Sequence, residues 1–104
     1  MAHVYLIEDD TNNTFKIGLT KGDPNKRLKN LQTGNASQLK IRYVFDTDYP
    51  YRLESMLHKH YQMSNIRSEW FHISDPDNFV TKCNEFSNII HNLLDNPYFS
   101  KNLK

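Results

Sequence analysis

The sequence predicts an α+β fold, in which a small, three-stranded, mainly antiparallel sheet is flanked by three helices, with room for one further short strand. Two runs rich in β-branched and aromatic residues near the amino terminus are separated by the polar stretch DDTNN, which is typical of a hairpin. A third run alternates apolar and polar residues, as a strand does. Three other segments follow helix-starting residues and carry apolar residues at helical spacing.

The predicted hairpin consists of the runs 3–8 and 14–20. We expect Tyr5 to face Lys16 across it, because this register sorts apolar and polar side chains onto opposite faces. Tyr5, Lys16 and Gly18 then share a face on which the glycine leaves the backbone open to a phosphate group. The apolar residues of the other face are Val4, Leu6, Phe15 and Ile17.

The first helix and the third strand follow the hairpin. Asp23 and Pro24 form the N-cap and first-position pair that starts a helix, and the helix ends near Gly34. The third strand covers residues 39–45, where apolar residues alternate with Lys, Arg and Val. This alternation predicts one apolar face and one partly basic face.

Two more helices complete the predicted fold. Asp48 and Pro50 open the first of them, whose apolar residues recur at helical spacing. The hydrophobic run at 69–73 is the candidate for the additional short strand. The last helix carries an apolar stripe over 79–94 and ends before the pair Asn-Pro.

Length and composition bound the class of protein. A chain of 104 residues fits one domain, which we assign to residues 1–96, and leaves 97–104 as a C-terminal tail. The single cysteine, Cys83, excludes a disulfide-stapled scaffold and a multi-cysteine zinc site. The first 20 residues lack the pattern of a signal peptide, and no apolar run is long enough to span a bilayer. We therefore expect an intracellular protein that is neither secreted nor bound to a membrane.

The net charge of +1 hides an uneven distribution along the chain. Residues 14–42 contain seven basic residues and one acidic residue, whereas the segments before and after them are net acidic. A cationic block of this length attracts a phosphate backbone. A solvated basic surface would have the same composition, so charge alone leaves both interpretations open.

Five short sequence blocks stand in a fixed order along the chain. They are VYL at 4–6, KIGLT at 16–20, RLKNLQTGN at 27–35, Glu54 with Leu57 and His58, and EWF at 69–71. This order resembles the GIY-YIG nuclease superfamily, and in particular its phage and large-virus branch. The resemblance covers roughly residues 3–74, and the ordered set is far more specific than any single block.

The resemblance implies a GIY-YIG-like fold and a DNA endonuclease or nickase that hydrolyses phosphodiester bonds with a single divalent ion, Mg²⁺ or Mn²⁺. By position, Tyr5 matches the tyrosine of the first motif, Arg27 the helix arginine and Glu54 the carboxylate that holds the metal. His58 stands where the family has a histidine. Lys16 departs from the pattern, because the second motif usually has a tyrosine there.

Each residue in this catalytic set suits phosphodiester hydrolysis. Glu54 offers a hard oxygen ligand to Mg²⁺, and Arg27 can donate two hydrogen bonds to non-bridging phosphate oxygens. Tyr5 is the expected proton acceptor or water-orienting group, although a phenol ordinarily keeps its proton at neutral pH. We expect Lys16, directly across the hairpin, to favour the phenolate. His58 can support Glu54 or act near the leaving group.

DNA is the expected partner, and we therefore expect the protein in the cytoplasm or at sites of DNA. The sequence does not exclude RNA as the substrate, and it is compatible with a dimer. Basic and amide side chains of the cationic block are expected to contact the nucleic-acid backbone without reading its sequence. These residues are Lys21, Lys26, Lys29, Gln32, Asn35, Lys40 and Arg42.

Two other interpretations compete with an enzyme. The same fold can serve as a catalytically degenerate nucleic-acid-binding module, if Lys16 has removed turnover, or as a protein-interaction adaptor. Trp70 is expected to close the core against the last helix, with stacking on a base as the alternative if its ring is exposed. Arg67 and Glu69 flank it as an expected ordinary surface ion pair.

Overall fold

The computed structural model describes residues 1–95, which form one antiparallel sheet with helices on both faces. The elements in chain order are β1 (Ala2–Asp9), β2 (Thr14–Thr20), α1 (Pro24–Thr33), β3 (Leu39–Thr47), α2 (Pro50–His60), β4 (Asn65–Arg67), β5 (Trp70–Phe71) and α3 (Phe79–Leu94). Short 3₁₀ turns at Gln62–Ser64 and Pro76–Asn78 precede β4 and α3. The predicted tail at 97–104 lies outside the described residues.

The α+β class is confirmed, but the predicted strand number is wrong, because five strands pair in the order β3-β1-β2-β5-β4. The predicted additional strand at 69–73 corresponds to β5, and β4 pairs with it through a turn at Ser68, whose φ of 50° is left-handed. β5 has two residues and β4 has three exposed ones. Strands this short have no alternating pattern for sequence analysis to find.

The register of the hairpin between β1 and β2 differs from the predicted one. Tyr5 lies opposite Gly18, and Lys16 lies opposite Ile7. The pairing is thus shifted by two residues from the expected Tyr5–Lys16 pair. Because side chains alternate with a period of two, this shift leaves every side chain on the expected face while changing its neighbour.

The turn of the hairpin explains the shift. The last pair of the hairpin is Asp9 with Thr14, so the connecting loop has the four residues 10–13. The buried Asp9 carboxylate accepts hydrogen bonds from the backbone N–H groups of Thr11 and Asn12, at 3.0 and 3.1 Å. This side-chain closure of the turn offsets the burial of a charged group and fixes the four-residue loop.

The sheet separates two apolar clusters. The larger cluster lies between the sheet and the helices α2 and α3; its buried members are Val4, Leu6, Phe15, Ile17, Leu53, Leu57, Phe71, Ile73, Phe79, Cys83 and Ile90. On the other face, Tyr5, Ile7 and Leu39 are buried, with Leu28 and Leu31 of α1 packed against them. The phenol of Tyr5 is therefore enclosed between the sheet and α1.

A β-bulge in β3 contradicts the single apolar face predicted for this strand. Leu6 of β1 pairs with Tyr43 and Ile7 pairs with Ile41, which leaves Arg42 as the extra residue. The extra residue turns Ile41 toward the α1 side and Tyr43 toward the α3 side. The apolar residues of β3 thus serve both clusters.

Within residues 1–95, none of the helices combines the length and the apolar character that crossing a membrane requires.

Candidate active site

The hydroxyl group of Tyr5 lies in a close arrangement with Gly18 and Arg27. The Tyr5 side chain is 1% exposed, and its hydroxyl oxygen accepts a hydrogen bond from Arg27 Nε at 3.4 Å. A Cβ atom placed on Gly18 would lie 2.6 Å from Tyr5 Cζ and closer still to the hydroxyl oxygen. Position 18 therefore has to be glycine for the phenol to occupy this place.

Arg27 is carried by α1 and held in front of Tyr5. Asp23 caps α1 by accepting a hydrogen bond from the N–H of Asn25, and Pro24 occupies the first turn. The hydrogen bond to the Tyr5 hydroxyl, supported by the nearby charge of Glu69, raises the pKa of Arg27 above its ordinary value. The guanidinium is thus a permanent positive charge beside the phenol oxygen.

Lys16 forms a nearly buried ion pair with Glu69. Its Nζ donates to Glu69 Oε2 at 2.6 Å, and the two side chains are 9% and 34% exposed. The backbone N–H of Ile17 also donates to the carbonyl of Glu69, at 3.1 Å. The expected surface pair between Glu69 and Arg67 is therefore wrong, and the hairpin register does not support direct action of Lys16 on Tyr5.

Helix α2 contributes Glu54 and His58, which lie one turn apart on the same flank. Leu53 and Leu57 are fully buried against the sheet, so α2 presents Glu54 and His58 half-buried at the edge of that contact. The ligand atoms of Glu54, His58 and Glu69 all lie within 4.8 Å of one another. These three side chains are called the acidic-imidazole cluster below.

The hydrogen bond of His58 determines which ring nitrogen is free. His58 Nε2 lies 2.9 Å from the carbonyl oxygen of Ile17. A carbonyl only accepts, so Nε2 carries the proton and Nδ1 keeps the lone pair in the neutral ring. A backbone carbonyl on one imidazole nitrogen is the usual support for a histidine that binds a metal through the other.

The electrostatics of the cluster favour an added cation. Burial, and next the negative charge of Glu69, raise the pKa of Glu54 above its ordinary value. His58 and Lys16 counteract this shift in part. A divalent ion would relieve the repulsion between Glu54 and Glu69, and two carboxylates with one imidazole are a donor set that Mn²⁺ accepts more readily than Mg²⁺.

Glu69 is the residue that sequence analysis missed. It bonds to Lys16, belongs to the acidic-imidazole cluster and contributes to the electrostatic environment of Arg27. It therefore connects four of the predicted catalytic residues, and the fifth, Tyr5, is linked to it through Arg27. The sequence feature that could have identified Glu69 is its place in the EWF block, to which sequence analysis assigned no chemical role.

The seven predicted nucleic-acid contacts divide into three groups. Lys21, Lys26 and Lys29 are exposed at the end of β2 and on α1. Gln32 and Asn35 organise the loop after α1: the Gln32 amide donates to the carbonyls of Asn35 and Ser37 and accepts from the N–H of Leu39. The Asn35 side chain accepts from the N–H of Ser37.

The third group, Lys40 and Arg42, is not brought to the site. Arg42 donates to Glu8 at 2.6 Å and to Asp77 at 3.0 Å, next to α3. Lys40 pairs with Asp10 at 3.3 Å. Both basic residues therefore have acidic partners, and Arg42 lies on the opposite side of the sheet from α1 because of the bulge in β3.

Fold and site together define a small α+β domain with a candidate metal-binding site beside a tyrosine–arginine pair. The model of the T5orf172 domain family matches residues 2–91, so the chain belongs to this family, a phage-associated domain linked to nuclease-like function. No curated protein and no solved structure is significantly similar to the chain.

Proposed function

We propose that this protein is a metal-dependent DNA endonuclease or nickase of the GIY-YIG type, which hydrolyses phosphodiester bonds with one divalent ion. The observation that carries the proposal is the set of interactions centred on Glu69. Its carboxylate bonds to Lys16 and belongs to the acidic-imidazole cluster, and its charge acts on Arg27, which bonds to Tyr5. The family membership of the chain supports it independently.

The acidic-imidazole cluster is the proposed metal site. Glu54, predicted from sequence as the metal ligand, would bind the ion together with Glu69 and His58 Nδ1. A bound Mg²⁺ or Mn²⁺ supplies a Lewis acid for a phosphate oxygen. Glu69 can bind the metal only if it also keeps its bond to Lys16. Lys16 bonds to Oε2, so Oε1 is the oxygen that would bind the metal.

Arg27 has two roles in this proposal. Its Nε bonds to Tyr5, which leaves both terminal nitrogens of the guanidinium for the non-bridging oxygens of a phosphate. Its positive charge also lies beside the Tyr5 oxygen, the place where sequence analysis expected Lys16. Tyr5 is the proposed group that orients the attacking water or accepts its proton, and because its side chain is 1% exposed the water has to reach the phenol oxygen beside Arg27.

Lys16 acts in this scheme as a positioning residue. Its ammonium fixes the carboxylate of Glu69 and balances the negative charge of the cluster before a metal binds. The substitution of the usual tyrosine is therefore compatible with turnover. Lys21, Lys26 and Lys29 are the proposed phosphate contacts along α1, and they position the strand without reading bases.

Nicking of a supercoiled plasmid tests the proposal. We expect conversion to the open-circular form with Mn²⁺ or Mg²⁺, no conversion in EDTA, and loss of at least ~100-fold in rate for Glu54→Ala, which removes a proposed metal ligand. Glu85→Ala is the matched control, because Glu85 is an exposed helical glutamate paired with Lys82. Salt-sensitive DNA binding without nicking would instead identify a nucleic-acid-binding module that has lost catalysis.

A further inference from the structure

A polar cleft lies beside the candidate active site, between the turn of the first hairpin, the loop after α1 and the β4–β5 turn. Its volume is about 370 Å³. That volume lies within the range of about 300–1,000 Å³ typical of small-molecule sites. We call it the aromatic cleft; the lining residues used below are Asp9, Asn12, Thr14, Asn35, Arg67 and Trp70.

Strand β2 connects the aromatic cleft with the candidate active site. Thr14, Lys16 and Gly18 alternate along one face of this strand. Thr14 lines the cleft, Lys16 holds Glu69, and Gly18 touches Tyr5. Two residues of a strand span about 7 Å, so a single nucleotide can reach from the candidate active site into the cleft.

Trp70 gives the cleft an aromatic wall. Its ring is half-buried, packs on the α1 side of the sheet and pairs through its backbone with Lys16. The ammonium of Lys16 lies over the ring, 5.8 Å from its centroid. Trp70 thus contacts the α1-side cluster, which differs from the expected packing against the last helix, and it also lines the cleft.

The other walls supply the polar groups that a base edge needs. The Asn35 amide uses its oxygen within the loop, which leaves its NH₂ group as a donor. The Asp9 carboxylate is held in place by hydrogen bonds from the N–H groups of Thr11 and Asn12 to one oxygen and from the Asn12 amide to the other, which has a second lone pair with which to accept. Arg67 is exposed at the rim, and among residues 1–95 it forms no ion pair with a carboxylate.

We infer that the aromatic cleft binds one unpaired nucleobase, stacked on Trp70, from the nucleotide next to the phosphate held at the candidate active site. The inference rests on the proposed function and deepens it: the substrate is a strand with at least one base out of its stack, such as a single strand, a flap or a distorted duplex. Donor, acceptor and aromatic groups in one cleft fit a base, whereas a phosphate would meet the carboxylate of Asp9.

Fluorescence tests the inference directly, because Trp70 is the only tryptophan in the chain. The measurement uses the whole protein in EDTA and compares an oligodeoxycytidylate pentamer with an abasic pentamer of the same charge. We expect the pentamer with bases to quench Trp70 and to bind about 5- to 150-fold more tightly than the abasic one. Equal affinities, or binding that leaves the fluorescence unchanged, would overturn the inference.

A pair of arginine variants separates the cleft from general charge attraction. Arg67→Ala is expected to weaken binding of the pentamer with bases at least ~5-fold, because an arginine at the rim contacts the strand as its base enters the cleft. Arg52→Ala removes the same charge from an exposed position on α2 outside the cleft. Equal effects of the two substitutions would overturn the inference.

The readout also separates this inference from the proposed function. Binding in EDTA requires no catalysis, so base-dependent quenching without plasmid nicking would retain the cleft and reject the endonuclease. Nicking without base-dependent quenching would reject the cleft alone.

Discussion

The ion pair between Lys16 and Glu69 leads to a sharp prediction about stability. Lys16 is nearly buried, so Glu69→Ala removes the carboxylate bonded to its ammonium and leaves only the charge of Glu54 near it. Breaking a buried pair costs about 3–5 kcal/mol, and we expect about 2 kcal/mol here because Glu69 is partly exposed to screening water. For a domain of this size such a loss lowers Tm by about 8–16 °C.

A double-mutant cycle isolates the pair. Lys16→Met alone should cost about 1 kcal/mol, because it leaves Glu69 facing Glu54 without compensation. The double variant Lys16→Met/Glu69→Ala removes the buried charge together with its partner, and its stability should approach that of the wild type. The expected coupling is about 3 kcal/mol, measured by urea denaturation of the metal-free protein and followed by circular dichroism.

The chain offers a matched control for this cycle. Lys82 and Glu85 form an exposed pair on α3, at 3.1 Å. The same substitutions there should couple by less than about 1 kcal/mol. If the Lys16 and Glu69 substitutions add within about 0.5 kcal/mol, the argument that Lys16 positions Glu69 is refuted.

Three further predictions follow from individual side chains. Gly18→Ala should lower the free energy of unfolding by about 1–3 kcal/mol and remove most of the nicking activity, because the new methyl group displaces the Tyr5 hydroxyl. Thermal melts and nicking rates measure the two effects. A variant that is active and as stable as the wild type would contradict the contact between Gly18 and Tyr5. Burial, then Glu69, raises the pKa of Glu54 in the folded state, so the metal-free protein should lose stability as pH rises above the ordinary carboxyl range. Glu54→Gln should flatten that dependence in melts at about pH 5 and about pH 8, and an unchanged slope would argue against the shift. Burial raises the pKa of Cys83 to about 12, so a thiol reagent should label it only after unfolding; rapid labelling of the native protein would disagree.

The elements of the fold that have periodic patterns of apolar residues were predictable from the sequence. All three helices were predictable from apolar spacing and helix-starting residues, although a side-chain cap forms at α1 and at neither α2 nor α3. The faces of the hairpin follow from the alternation of its side chains. The register was not predictable from alternation, because a shift of two residues preserves both faces; it depends on Asp9 closing a four-residue turn. The bulge at Arg42 and the short strands β4 and β5 likewise leave no periodic signal.

The candidate site shows a similar division. Four candidate site residues could be proposed from the sequence, because each lies in a block that resembles a family motif with a chemical role. These residues are Tyr5, Arg27, Glu54 and His58. The position of Glu69 in three dimensions depends on the pairing of β5 with β2, which places its carboxylate beside Lys16 and α2. Sequence analysis paired Glu69 with Arg67 because a single sequence shows which residues are close along the chain and not which residues a strand pairing brings together.

Electron paramagnetic resonance of added Mn²⁺ tests most directly whether Glu54, His58 and Glu69 hold a divalent ion. We expect one bound ion per chain, with spin-echo modulation from a directly coordinated imidazole nitrogen. His58→Ala should abolish the modulation and Glu54→Gln should weaken binding at least ~10-fold, whereas Glu85→Ala should change neither. Binding of the same strength in both cluster variants, or a signal without nitrogen coupling in the wild type, would contradict the assignment of this cluster as the metal site.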